Sequence, residues 1–172
     1  MNRRRDIDVA PLARATLVEV GVGALAVGSH PERLMTPALG SCVGVALWDP
    51  VRQCGGLAHV MLPSPGATTA TPDSARFASW AVAEMVRLLV EAGSRQRSLR
   101  AKIAGGAAMF RGDAAVAQIG NRNIIEVRRQ LELAGIAIQA EDTGGSHART
   151  VELLLDSGVL LVRSYKFGTR LL

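Results

Sequence analysis

Cys42 and His59 stand seventeen residues apart, each in a glycine-bearing apolar frame: Thr36-Pro-Ala-Leu-Gly-Ser-Cys42-Val-Gly-Val-Ala-Leu-Trp-Asp-Pro50, then Gly55-Gly-Leu-Ala-His59-Val-Met-Leu-Pro63. A thiol is a potent nucleophile only as thiolate, and a neighbouring imidazole can lower its pKa from ~8.5 into the range of roughly 3.5 to 7.5. The pair therefore points to a cysteine nucleophile with an imidazole base. Spacing alone leaves a second reading open, a buried cysteine and a hydrogen-bonded core histidine, because nucleophile and base meet in the fold rather than in the chain.

Other constellations carry less. The run from Lys102 to Phe110 has glycines after an apolar stretch, but it lacks the Gly-x-x-x-x-Gly-Lys order of a phosphate loop, so its glycines serve a tight turn or close backbone approach. The segment from Glu141 to His147 gathers two carboxylates and a histidine that could hold a metal or a base. With three histidines in the chain and no His-x-x-x-His or Cys-x-x-Cys pair, no metal site is expected. His147 and His30 read as exposed loop residues, and Cys54 as a small apolar residue at a strand end.

The elements that must position Cys42 and His59 read as short strands first. Thr16 to Val27, Val43 to Trp48 and Leu57 to Met61 are apolar runs bounded by turn residues, and Asp49-Pro50 marks a turn between the last two. Cys42 then enters one strand of a hairpin and His59 lies in its antiparallel neighbour, which could bring the side chains together. A Pro, Gly and Thr-rich loop leads to Asp73 or Ser74 as helix N-caps, with Phe77, Trp80, Ala81, Met85, Leu88 and Leu89 on one face. Leu99 to Ala104 reads as a strand. A second helix starts near Asn121 or Asn123, shows Ile124, Val127 and Leu131, and stops at Gly135. Ile136 to Ala140 returns as a strand, and Val151 to Leu155 with Val159 to Arg163 reads as a hairpin. The expected class is α+β, a mixed or antiparallel sheet core with two long helices packed on it.

A chain of 172 residues, 48% apolar and 20% charged, can bury a core as one unit, and with only 3% aromatic residues that core must be aliphatic. Residues 1–13 read as a flexible basic tail and 14–172 as a single domain. The net charge of +5 sits partly in Arg3, Arg4 and Arg5, and the few aromatic rings offer little for base stacking, so an acidic protein partner is expected rather than nucleic acid. Two cysteines make no disulfide framework, which fits a reducing cytoplasm. Asp6, Asp8 and Glu19 interrupt the N-terminal apolar run, so no targeting or membrane-inserted segment is expected.

Five blocks occur in order: Leu39-Gly-Ser-Cys42-Val, His59-Val-Met-Leu-Pro63, Lys102-Ile-Ala-Gly-Gly-Ala-Ala-Met-Phe110, Ile119-Gly-Asn-Arg-Asn123, and Asp142-Thr-Gly-Gly145 through Arg149. Together, over roughly residues 21–163, they resemble the chemoreceptor glutamine deamidase family, CheD. The resemblance implies a CheD-like cysteine hydrolase fold and a catalytic set of Cys42, His59 and Thr36, with no cofactor or metal. It also implies hydrolysis of selected glutamine amides on methyl-accepting chemoreceptors in bacterial chemotaxis, through a cysteine thioester, with ammonia released. Implied partners are receptor cytoplasmic regions and a CheC-type phosphatase. Pro37, directly after Thr36, departs from the family's pattern and restrains the backbone there. The alternative is a catalytically silent receptor- or phosphatase-binding module of the same fold.

Overall fold

The computed structural model describes residues 15–67, 71, 73–109 and 118–172, so the expected basic tail lies outside the described residues. The strands are β1 (Leu17–Glu19), β2 (Leu25–Ser29), β3 (Arg33–Leu39), β4 (Val43–Asp49) and β5 (Cys54–Val60). Helix α1 (Ala78–Glu91), β6 (Arg100–Gly105), helix α2 (Ile119–Leu133) and β7 (Ile138–Thr143) follow. The chain closes with β8 (Arg149–Leu154), β9 (Leu160–Ser164) and β10 (Gly168–Leu171).

The strands form two five-stranded sheets, β1-β3-β8-β9-β10 and β2-β5-β4-β6-β7, both mixed: β1 runs parallel to β3 and β6 parallel to β7. The α+β class holds, but the sheet core is a pair of sheets rather than one. Leu34, Leu57, Val151, Leu153, Leu160 and Val162 fill the space between them. The outer face of the second sheet packs on α1 and α2 through Val43, Val45, Leu47, Met85, Val127 and Leu131. Strands β4 and β5 are thus covered on both faces, which is why they read as near-continuous apolar runs rather than as alternation. Each fully buried leucine in these layers contributes roughly 1.5–3 kcal/mol.

Several expectations need correction, among them the second helix, which starts at Ile119 rather than near Asn121 or Asn123. The run from Thr16 to Val27 is two strands, β1 and β2, broken by a turn with Gly23 at φ 72°. Helix α1 starts at Ala78 rather than after Asp73 or Ser74, because the Leu62 and Pro63 carbonyls accept the Ala78 and Ser79 N–H groups at 3.0 and 3.1 Å and cap the helix without a side chain. Its buried face carries Val82 and Val86, while Trp80 and Leu88 are only half-buried. Strands β3 and β10 fall where no strand was expected.

Candidate active site

The β4–β5 hairpin pairs Gly44 with His59 and Val43 with Val60. Cys42, two residues before Gly44, lies diagonally from His59 on the same face, a relation that spans roughly 7–8 Å between backbones. Gly44 has no side chain to fill that diagonal. A Cβ there would approach Leu39 Cδ1 to 2.9 Å and Val151 Cγ2 to 3.2 Å across the sheet interface, so those side chains would have to give way. Cys42 packs, half-buried, at the edge of the inter-sheet core, whereas Cys54 sits on the opposite, helix-facing side with Sγ 3.2 Å from Ser94 Oγ. Cys54 and His59 are five positions apart in one strand, an odd offset, so the two face opposite ways.

The other sheet supplies the third residue. Thr36 in β3 is fully buried, and its Oγ1 lies 2.7 Å from His59 Nδ1 and 2.7 Å from the Val20 carbonyl. A carbonyl can only accept, so the hydroxyl proton goes to Val20 and Oγ1 must accept from Nδ1–H. That fixes the tautomer. Nε2 then carries the lone pair, and it is buried with no hydrogen-bond partner. The His59 backbone is pinned as well, its N–H donating to the Ala24 carbonyl and its carbonyl accepting from Gly23.

Pro37 does not displace Thr36. Thr36 pairs with Val151 in β8, and the register then shifts, with Leu39 next opposite Arg149 and Ala38 at φ 58°. Proline thus falls in a β-bulge, where no ladder hydrogen bond needs its missing N–H.

Burial raises the Cys42 thiol pKa above its ordinary value, opposed in part by its own backbone N–H, and burial also lowers the His59 imidazole. Both shifts favour neutral forms, and Cys42 makes no hydrogen bond to Nε2 in the resting site. The expectation of an acidified thiol is therefore not met. The pair rests as thiol and neutral imidazole, an arrangement suited to proton transfer during attack rather than to a standing ion pair.

The remaining candidates serve the frame. At φ 108°, Gly105 brings its backbone so close to the nucleophile's segment that a Cβ would lie 2.3 Å from the Cys42 carbonyl oxygen, and Gly106 N–H donates to that carbonyl at 2.7 Å. The glycine run after Lys102 is thus a close-approach element, as expected. In the downstream loop, Asp142 is engaged by the buried Arg149 at 2.7 Å and by Arg170 at 3.0 Å, and Arg149 also donates to the Gly144 and His147 carbonyls. His147 stacks edge-on against Phe167, half-buried rather than exposed, while His30 is exposed. Sequence reasoning missed Arg149 as the buried tie between Asp142 and the loop carbonyls, and the side-chain contacts of Asn123, whose Nδ2 donates at 2.9 Å to both the Ser41 and the Met61 carbonyls.

Comparison with known proteins adds a family. Residues 61–164 match the family model for CheD, chemotactic sensory transduction, a segment that begins just after His59. Among curated proteins, the chemoreceptor glutamine deamidase CheD of Bacillus velezensis is 42% identical over 159 residues, covering 91% of this chain and 96% of its own. The protein of the same name from Thermotoga maritima is 43% identical over 152 residues, covering 88% and 94%. Among solved structures, the hypothetical protein YfiH of Bacillus licheniformis is similar with a TM-score of 0.46 and 21% identity, covering 69% of this chain and 49% of its own.

Proposed function

The chain belongs to the CheD family, and from that premise we propose that Cys42, His59 and Thr36 carry its chemistry. The protein is a chemoreceptor glutamine deamidase, a hydrolase of side-chain amide bonds in chemotaxis. The observation that supports the residue assignment is the unpartnered Nε2 of His59, held as an acceptor by Thr36 behind it and set on the same face as Cys42.

In this mechanism His59 Nε2 takes the Cys42 thiol proton as Sγ attacks the amide carbon of a receptor glutamine. The carbonyl electrons move to oxygen, and the Cys42 backbone N–H is one donor to that oxyanion. Collapse of the intermediate breaks the C–N bond while imidazolium returns the proton to nitrogen, so ammonia leaves and a thioester remains. Water, deprotonated by Nε2, attacks the thioester; expelled thiolate recovers the proton, and glutamate is released. Thr36 keeps Nδ1 protonated throughout, orienting the ring without the field of a carboxylate.

Among the described residues no helix is long and apolar enough to cross a membrane. The proposal extends to a cytoplasmic enzyme whose catalytic unit is residues 14–172, acting on receptor cytoplasmic regions and meeting a CheC-type phosphatase. The test is incubation with receptor cytoplasmic fragments: glutamine-to-glutamate conversion with ammonia release, and no backbone cleavage or crosslinking, is expected from the wild type and absent from Cys42→Ala. Stoichiometric receptor binding without conversion would assign the silent module instead.

A further inference from the structure

Asn123 is fully buried in α2, a helix in whose interior asparagine is a poor former. Its Nδ2 spends both hydrogens on main-chain carbonyls, Ser41 just before the nucleophile and Met61 two residues after His59. Its Oδ1 is buried with no partner, a cost that a leucine of similar size would not carry. Two buried features that stability alone disfavours thus converge on one side chain. What they act upon is the peptide unit between Ser41 and Cys42.

A trans peptide is planar, with its C=O and the following N–H pointing in opposite directions. Fixing the Ser41 carbonyl against Asn123 therefore aims the Cys42 N–H away from α2. That N–H donates to no carbonyl among the described residues, and it lies close enough to its own sulfur to favour the thiolate. Resting on the deamidase reading above, we infer that Asn123 is the positioning residue for the oxyanion donor: its amide sets the direction of the Cys42 N–H and ties it, through Met61, to the strand that carries His59.

The test separates attack on a carbonyl from attack on a saturated carbon, since only the first develops an oxyanion. Asn123→Asp, which keeps the shape and exchanges the donors for acceptors, and Asn123→Ala are compared with wild type for kcat and KM on a receptor fragment. The rate of Cys42 alkylation by iodoacetamide across pH is followed in parallel. The expected result is a fall in kcat on the order of 10²-fold, the size of losing one oxyanion donor, with KM and the alkylation profile within about threefold of wild type. Unchanged kcat in a folded variant overturns the proposal, as does a parallel fall in turnover and alkylation. Failure of both variants to fold assigns Asn123 to stability and overturns it as well. Cys42→Ala with wild-type turnover would instead sink the nucleophile assignment, which keeps the two failures apart.

Discussion

Thr36 and His59 belong to different sheets, yet Thr36 Oγ1 and His59 Nδ1 lie 2.7 Å apart in the buried layer between them. This one hydrogen bond sets the tautomer of the base, because the threonine proton is already committed to Val20. Thr36→Val keeps the shape, deletes the acceptor and leaves Nδ1–H buried without a partner. Turnover is expected to fall at least about tenfold, with a stability loss of about 1–3 kcal/mol. Thr36→Ser should restore most of both; ammonia release and urea denaturation of the three proteins check it.

The two cysteines should separate cleanly. Cys42→Ala abolishes ammonia release with the fold intact, since the thiol's chemical role has no substitute. Cys54→Ala keeps most activity and loses on the order of 1 kcal/mol for its packing and its contact to Ser94. Reversed activities would move the nucleophile to the helix-facing side of β5.

Two opposed shifts predict the pH profile. With His59 held below its ordinary 6.5, the acid limb of kcat/KM should have its midpoint below that value. With Cys42 raised by burial above the ordinary thiol value, iodoacetamide alkylation should keep rising with pH past that value. An alkylation plateau already reached in neutral solution would mean a standing thiolate–imidazolium pair.

The same shifts bear on stability. Below its ordinary 6.5 the unfolded histidine binds a proton that the folded His59 refuses, so stability is lost as pH falls from that value through the lower folded one. For Cys42 the stabilising contribution is full below the ordinary thiol value and fades as pH rises through the higher folded pKa. The stability difference between wild type and His59→Gln should therefore be constant above the ordinary imidazole value and shift in favour of the variant as pH falls below it.

Gly105→Ala places a side chain at φ 108° and drives Cβ against the Cys42 carbonyl. The expected cost is about 2 kcal/mol or more, with loss of turnover because the nucleophile's segment must shift. Gly135→Ala at the end of α2 has open space and a positive φ only, so it should cost less and spare activity.

How much of this was legible in the chain depended on the range of the interactions. The hairpin bearing Cys42 and His59 is local, and its turn at Asp49-Pro50 with the apolar runs on either side reads directly. Strand β3 was not legible because Pro37 reads as a breaker, and only pairing with β8, more than a hundred residues later, makes a bulge of it. For α1 the start was masked by Leu62 and Pro63, which cap it from outside its own segment. Thr36 came from resemblance rather than from spacing, since no periodicity could carry it across to the other sheet. Asn123 reads in the chain only as a candidate helix start, because a clamp on two main-chain carbonyls leaves no mark in residue type.

The order of strands also has a consequence for a truncated chain. Thr36 sits between β1 and β8 in its sheet, so both Cys42 and His59 precede by about a hundred residues in the chain the strand, residues 149–154, that seats the one orienting the base. A copy cut short before β8 carries the thiol and the imidazole but lacks the strand that completes the sheet around Thr36.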